Sequence, residues 1–348
     1  MEINPDSVVW EYTLQCNSKC LHCGSNAKDK RENELSTEES LDLVDQIKDV
    51  GFKKIFLSGG EPTLRKDWIK IAERIKEHDI QLGIISNVLH WDDKTIDQIS
   101  NLNPYSIGIS IDGEPESHDY FRGVKGSHDK VFDTIKKLLR QDQTICPITS
   151  INNINFKELV QIRNRIIVYG TQAWQLQMAS PMGRMKENKD LLIDEETYYK
   201  LAEFIVETRE RLPYINVQAA DCIGYFGVLE DRLRDSEWSG CGAGINGIGI
   251  ESNGNVKGCL SIQHPDAYAD NIRITTLKEI WEEKQNFNYT RNFTVKELGE
   301  NCKKCDYGEQ CQGGCSSQSV AFYDEFHNAP YCLYRMEENQ NGKSNWKN

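Results

Sequence analysis

The sequence predicts an α/β fold: a parallel sheet of six strand–helix units curled into a partial (β/α)6, TIM-like barrel, followed by a cysteine-rich extension. Three observations carry this expectation. Between residues 8 and 210 a short β-branched run is followed, six times, by an amphipathic stretch with charged flanks. After about residue 212 that rhythm stops. Of the twelve cysteines, ten fall in two groups, one just after the first strand and one in the last third of the chain. Alternating β and α favours a parallel sheet, and six units rather than eight favour an incomplete barrel.

The units read in order. Val8–Gln15 is followed by Thr37–Asp49, whose start, Ser36-Thr37-Glu38-Glu39, is a capping box: the serine accepts a free helix amide while Glu39 reaches back. Lys54–Ser58 precedes Asp67–His78, and Gln81–Ser86 precedes Thr95–Asn101. Ser106–Ile111 leads to Asp129–Arg140, Thr144–Ser150 to Phe156–Tyr169, and Ala173–Met178 to Glu195–Glu210. Beyond them, Ile248–Cys259 reads as a hairpin turning at Asn253-Gly254, and Thr276-Leu277-Lys278-Glu279 caps a short helix carrying Trp281. Residues 300–332 are rich in Cys and Gly with little periodicity, as expected where metal rather than apolar burial holds the chain. The chain thus divides into a barrel (1–211), an extension (212–336) and a polar tail (337–348).

Composition excludes several function classes. The 348 residues carry 41 basic and 54 acidic side chains, a net charge of −13, so neither nucleic acid nor an anionic membrane is expected as a partner. No apolar run approaches the roughly 18 residues of a membrane span. Met1–Trp10 lacks the basic and apolar regions of a signal peptide, so a cytoplasmic protein is expected. In that reducing compartment the expected use of twelve cysteines is metal binding rather than disulfides.

Cys16-Asn17-Ser18-Lys19-Cys20-Leu21-His22-Cys23 is a C-x3-C-x2-C run placed just after the first strand. Three thiolates leave a [4Fe-4S] cube one iron short of full protein ligation, so that iron can take a substrate or cofactor. A zinc or disulfide site uses the same residues and competes on spacing alone. The second strand runs into Ser58-Gly59-Gly60-Glu61-Pro62, where glycines let the backbone approach a ligand and a carboxylate can accept an ammonium. The fourth strand ends Ser110-Ile111-Asp112-Gly113, followed by His118-Asp119-Tyr120-Phe121-Arg122.

Together these motifs resemble the radical SAM superfamily, whose members bind S-adenosylmethionine (SAM) at the open iron and cleave it to a 5′-deoxyadenosyl radical. The resemblance implies that Cys16, Cys20 and Cys23 hold the SAM-binding cluster. It implies that Gly59, Gly60 and Glu61 meet the methionine end of SAM, that Ser110 and Arg122 hold its ribose or carboxylate, and that Asn87 is a further contact. His22 fills the family's aromatic slot and is expected to pack rather than react.

The second group, Cys241-x12-Gly254-x4-Cys259, then Cys302-x2-Cys305-x5-Cys311-x3-Cys315 and Cys332, resembles the SPASM extension of radical enzymes that often modify peptides and proteins. Seven cysteines exceed a four-coordinate zinc site. The resemblance gives Cys302, Cys305, Cys311 and Cys332 to a distal auxiliary cluster and Cys241, Cys259 and Cys315 to a nearer one, for three [4Fe-4S] clusters in all. Relatives commonly place a further ligand shortly upstream of the position of Cys241, and none lies there. Cys222 is 19 residues upstream, which leaves three readings: it swings in as fourth ligand, or that iron is open or bound by another group, or Cys222 has a separate role, as a hydrogen-donating thiol near the mouth or an inert buried thiol. Cys146, inside the fifth strand, reads as core.

The expected activity is that of a radical SAM peptide maturase, forming a thioether or carbon–carbon crosslink or an epimerised residue on a ribosomally made precursor. Its expected partners are that precursor and a reductant such as flavodoxin or ferredoxin. A formylglycine-type protein maturase is the first alternative; those relatives carry an aspartate directly after the cysteine matching Cys259, where this chain has Leu260. Small-molecule chemistry, on a tetrapyrrole or amino-acid derivative, is the second, and a non-catalytic electron carrier the third. With 15 residues ahead of Cys16, a leader-binding domain is not expected at the N-terminus. The precursor would then meet the barrel mouth, the extension or a separate leader-binding protein, with Gln175, Gln177 and Arg184 as candidate contacts.

Overall fold

The computed structural model describes residues 3–340. Strands β1 (Ser7–Thr13), β2 (Lys54–Gly59), β3 (Gln81–Ser86), β4 (Ser106–Ser110), β5 (Ile145–Ile151) and β6 (Ala173–Met178) pair in parallel in chain order, as the rhythm predicts. Their crossovers are helices α1 (Thr37–Val50), α2 (Trp68–Glu77), α3 (Asp93–Leu102), α4 (Pro115–Arg122), α5 (Ser127–Leu139), α6 (Leu159–Val168) and α7 (Glu195–Arg211). The capping box at Ser36 forms as expected, and Gly51 closes α1 in the left-handed region at φ 96°.

Helix α4 departs from the sequence reading, which left 115–122 as loop. Pro115 opens it and Gly123, at φ 66°, ends it, so the signals were a proline at the start and a glycine past the end. The helix matters because it carries His118 and Arg122 toward the ends of the strands.

The sheet also runs past residue 212. Strand β7 (Asn216–Ala219) pairs in parallel with β6, a seventh barrel strand that left no signal because Val217 is its single buried side chain. On the other edge β8 (Gly247–Ile250) lies parallel to β1, and β9 (Asn255–Lys257) and β10 (Tyr268–Asn271) follow antiparallel. The order is β10-β9-β8-β1-β2-β3-β4-β5-β6-β7, so the extension's hairpin continues the barrel sheet instead of starting a separate one. The tail's first residues, through Gln340, finish a helix, Leu333–Gln340; 341–348 lie outside the described residues.

Apolar residues fill the space between strands and helices. Along β6, Trp174, Leu176 and Met178 are buried in that core, with the Trp174 ring 6.0 Å from Phe204 of α7. Period-2 alternation puts Gln175 and Gln177 on the opposite face, toward the lumen. Among the described residues, no helix is long and apolar enough to cross a membrane.

Candidate active site

The cysteine loop leaves β1 at the C-terminal ends of the strands, where an α/β barrel keeps its chemistry. Its backbone is tied down at several points. Cys16 N–H donates to Lys28 O at 2.9 Å and Leu21 N–H to Phe121 O at 2.8 Å. Arg184, expected at substrate or cofactor, instead donates through Nε to Cys20 O at 2.7 Å and through a terminal nitrogen to Ala27 O at 3.1 Å. Gly183 stacks on this loop so closely that a Cβ there would stand 2.3 Å from Cys23 O.

Polar groups reach the three thiols. Asn87 Nδ2 stands 3.7 Å from Cys16 Sγ and 2.9 Å from Asn17 Oδ1. Ser18 Oγ lies 3.2 Å from Cys20 Sγ, and the Arg122 guanidinium approaches the same sulfur at 3.7 Å. Donors aimed at sulfur stabilise thiolates and tune a cluster.

The Gly59-Gly60 pair serves the loop itself. A Cβ on either would stand 2.2 Å from a carbonyl oxygen, of Thr13 or Gln15, so these glycines let the chain leaving β1 cross the end of β2. The Glu61 carboxylate is fully buried and already engaged: it accepts from Ser86 Oγ at 2.9 Å, Asn87 N–H at 2.9 Å and Thr63 Oγ1 at 2.5 Å. Its side chain braces the Asn87 arm rather than standing free for an ammonium.

Arg122 likewise has a resident carboxylate. Asp112, fully buried beyond the end of β4, lies 2.5 Å from Arg122 and 3.3 Å from His22 Nε2, and accepts Ser150 N–H at 2.8 Å. Burial pushes the Asp112 carboxyl up, but Arg122 and His22 more than reverse this and hold it well below the ordinary carboxylate range. His22 therefore does more than pack, although its ring does sit edge-on to Phe121. Arg122 Nε and His22 Nδ1 are buried without a hydrogen-bond partner, two donors or acceptors that a bound carboxylate and ribose suit. Ser110 ends β4, half-buried, at the same rim.

In the extension, Cys302, Cys305, Cys311 and Cys332 surround one cavity of ≈ 310 Å³, counting its opening, with Arg335 in its wall. These are the four residues assigned to the distal cluster. Ala329 N–H donates to Cys302 Sγ at 3.4 Å. Cys241, Cys259 and Cys315 gather in a second set, and Cys222 joins it, close enough to Cys315 for the two sulfurs to interact once ionised. The strand pair β6–β7 brings Cys222 there, since Ala220 N–H still bonds Leu176 O at 2.9 Å and the next turn lays Cys222 Sγ 3.3 Å from Met178 N–H.

Burial pushes the thiols of Cys16, Cys222 and Cys259 up to about 11 and that of Cys332 up to about 12. Free, they would be neutral at pH 7; as metal ligands they are thiolates. Among the described residues, no three His, Cys, Asp or Glu side chains converge tightly enough to share one metal ion. Thiols spread around a cavity suit a cubane, in which each iron takes one thiolate, better than a single zinc.

Residues 10–166 match the model of the radical SAM superfamily, and 241–306 match SPASM, an iron–sulfur cluster-binding domain. This chain is a radical SAM enzyme with a SPASM domain. Proteins similar to it include the AdoMet-dependent heme synthase of Methanosarcina barkeri, 25% identical over 95% of this chain and 97% of that protein. The mycofactocin maturase MftC of Mycolicibacterium smegmatis is 24% identical over 89% of this chain and 78% of its own length. Among solved structures, Streptococcus suis SuiB bound to S-adenosylmethionine superposes with a TM-score of 0.75 at 17% identity, over 94% of this chain and 77% of that one. Native anSMEcpe with bound AdoMet and a peptide gives 0.72 at 20%, over 99% and 100%. These likenesses establish the partial barrel with its C-terminal extension.

Sequence reasoning missed Asp112, Ser18 and Arg335. Asp112 had a legible signal: an acid closing the apolar run Ile107–Ile111 needs a buried partner. Arg335, in a polar stretch after the last cysteine, had none.

Proposed function

We propose that this radical SAM enzyme acts on a ribosomally made peptide, with Cys16, Cys20 and Cys23 holding the SAM-binding cluster, Asn87, Ser110 and Arg122 framing SAM, and Gly59, Gly60 and Glu61 shaping and bracing the loops beneath it. When bound, SAM and that cluster supply a hydrogen-abstracting radical. The chain's own residues orient and shield it. Cys302, Cys305, Cys311 and Cys332 hold the distal cluster; Cys241, Cys259, Cys315 and Cys222 hold the nearer one, so Cys222 is a ligand and not the hydrogen donor. The reconstituted chain should carry about twelve irons, three cubes of four, and an iron content near four would reject the three-cluster reading. Cys222→Ala should lower iron or alter one auxiliary spectrum; unchanged iron and spectra would return Cys222 to the packing core.

One observation carries the choice of substrate: neutral amides line the mouth, and the arginines beside them are already engaged. Gln175 and Gln177 face the lumen, and Gln318, fully engaged on one side with Ser180, keeps a buried Oε1 without a partner. Arg31, Arg65, Arg122 and Arg184, at this end of the barrel, already hold Glu11, Asp67, Asp112 and loop carbonyls. A peptide backbone matches such a lining; a polycarboxylate asks for free cations. The match to heme synthases along nearly their whole length favours a second reading, a tetrapyrrole substrate.

The test is anaerobic incubation with SAM, reductant and either candidate precursor peptides or propionate-bearing tetrapyrroles, read by mass. A peptide that loses two hydrogens is crosslinked or oxidised; one that gains a single deuterium only in D2O is epimerised. Turnover of tetrapyrroles with every peptide inert would overturn the peptide reading.

A further inference from the structure

The wall of the distal cavity holds a cation whose hydrogen bonds all go to neutral acceptors. Arg335 is buried, and its guanidinium donates to two neutral acceptors, Ala329 O at 2.9 Å and Pro330 O at 2.5 Å. Its nearest carboxylate, Glu195, is 3.8 Å away and 60% exposed, so water screens it. A buried charge left in this state is costly unless something negative completes the site. The site in question is the cavity lined by Arg335 together with Cys302, Cys305, Cys311 and Cys332.

The nearer set lacks an equivalent. The cation facing it, Arg234, is ion-paired with Glu230 at 2.7 Å, both nearly buried. The other groups turned toward it include Asp221, the phenols of Tyr289 and Tyr198, and that of Tyr225, whose oxygen accepts Cys315 N–H at 3.0 Å. Asp221 adds no positive charge in either protonation state. Helix ends do not distinguish the two sets: Cys315 caps the helix Ser316–Tyr323, and Cys332 immediately precedes Leu333–Gln340. Carboxylates stand near the distal set too, Asp306 beside Cys305 and Glu325 toward Cys302, but of the cations Arg234 and Arg335 only Arg335 lacks a close ion pair.

Net charge near a cluster sets its reduction potential, because each added electron is stabilised by a neighbouring cation in a poorly solvated site. Resting on the cluster assignment above, we propose that Arg335 is the built-in counter-cation of the distal cluster and holds its reduction potential above that of the nearer cluster, so that electrons run outward from substrate to surface. The balance is simple. The substrate loses a hydrogen atom to the radical and then one electron to the nearer cluster. That electron reduces the distal cluster and leaves to an external one-electron carrier of the flavodoxin or ferredoxin class, while the substrate's proton passes to solvent. The net change is a two-electron oxidation, which places this enzyme among oxidising rather than redox-neutral maturases.

The experiment is an EPR-monitored redox titration of the full chain carrying Cys16→Ala, Cys20→Ala and Cys23→Ala, so that only auxiliary signals remain. Signals are assigned with further variants lacking Cys302 and Cys305 or Cys241 and Cys259. The distal midpoint should lie above the nearer one; the reverse order overturns the proposal. Arg335→Gln should shift the distal midpoint down and leave the nearer one in place, whereas Arg335→Lys, which keeps the charge, should preserve it. An unchanged distal midpoint in Arg335→Gln overturns the proposal, as does a fall in Arg335→Lys. If the glutamine variant binds no distal iron, the lysine variant and the order of midpoints in the parent decide. A parent chain with no auxiliary cubane signals would instead refute the cluster assignment itself.

Discussion

Replacing Cys16, Cys20 and Cys23 together with alanine should abolish 5′-deoxyadenosine formation while leaving auxiliary iron largely in place. All three residues sit on one loop between β1 and α1, and on the proposed assignment every thiolate of the SAM-binding cluster comes from it. The loop's backbone anchors, Lys28, Phe121 and Arg184, do not involve the sulfurs, so the barrel should survive the loss. The auxiliary sets stand on the extension, held by their own caps and turns. Iron analysis and product chromatography on one preparation give both readouts. Persistent SAM cleavage in the triple variant would reject the assignment of this loop.

The second large effect is expected at Asp112. Truncating it to alanine strands the Arg122 guanidinium, 12% exposed, and removes the partner of His22 and of Ser150 N–H. Removing one member of a buried ion pair typically costs about 3–5 kcal/mol, because the other charge stays desolvated. Urea unfolding of the iron-free chain should show a loss of that size. Asp112→Asn keeps shape and one acceptor but not the charge, and should fall between. Because Arg122 also touches the Cys20 sulfur at 3.7 Å, the alanine variant should retain iron poorly at the first cluster but normally at the others. A variant within about 1 kcal/mol of the parent, with full iron, would show that the pair stabilises nothing.

Much of the site was legible from residue type and local spacing. Six βα units, the capping boxes and the C-x3-C-x2-C run report contacts between near neighbours in sequence, where hydrophobic period and side-chain chemistry leave a trace. What failed to show were groups whose partners are distant. Glu61 is chemically able to take an ammonium, yet it is consumed by Ser86 and Asn87, 25 and 26 residues on. Arg184 carries the right charge for a substrate acid but reaches back 164 residues to Cys20 O. Strand β7 and the union of β8 with β1 were also silent, because edge pairing asks only for free backbone groups and any short strand can supply them.

The sequence by itself therefore determined the chemistry: thiols in threes and fours at cluster spacing, behind a parallel barrel whose strand ends present them. Ligand identity is a property of residue type, and it survives whatever the chain does around it. Only the tertiary structure decided the charges around those ligands. It gave Arg122 to Asp112, brought Cys222 to Cys315 across 93 residues, and set Arg335 in the distal wall. Electrostatics depends on distance and solvent exposure, neither of which a linear pattern encodes, so the pairing of each buried charge appears only once the layers have packed.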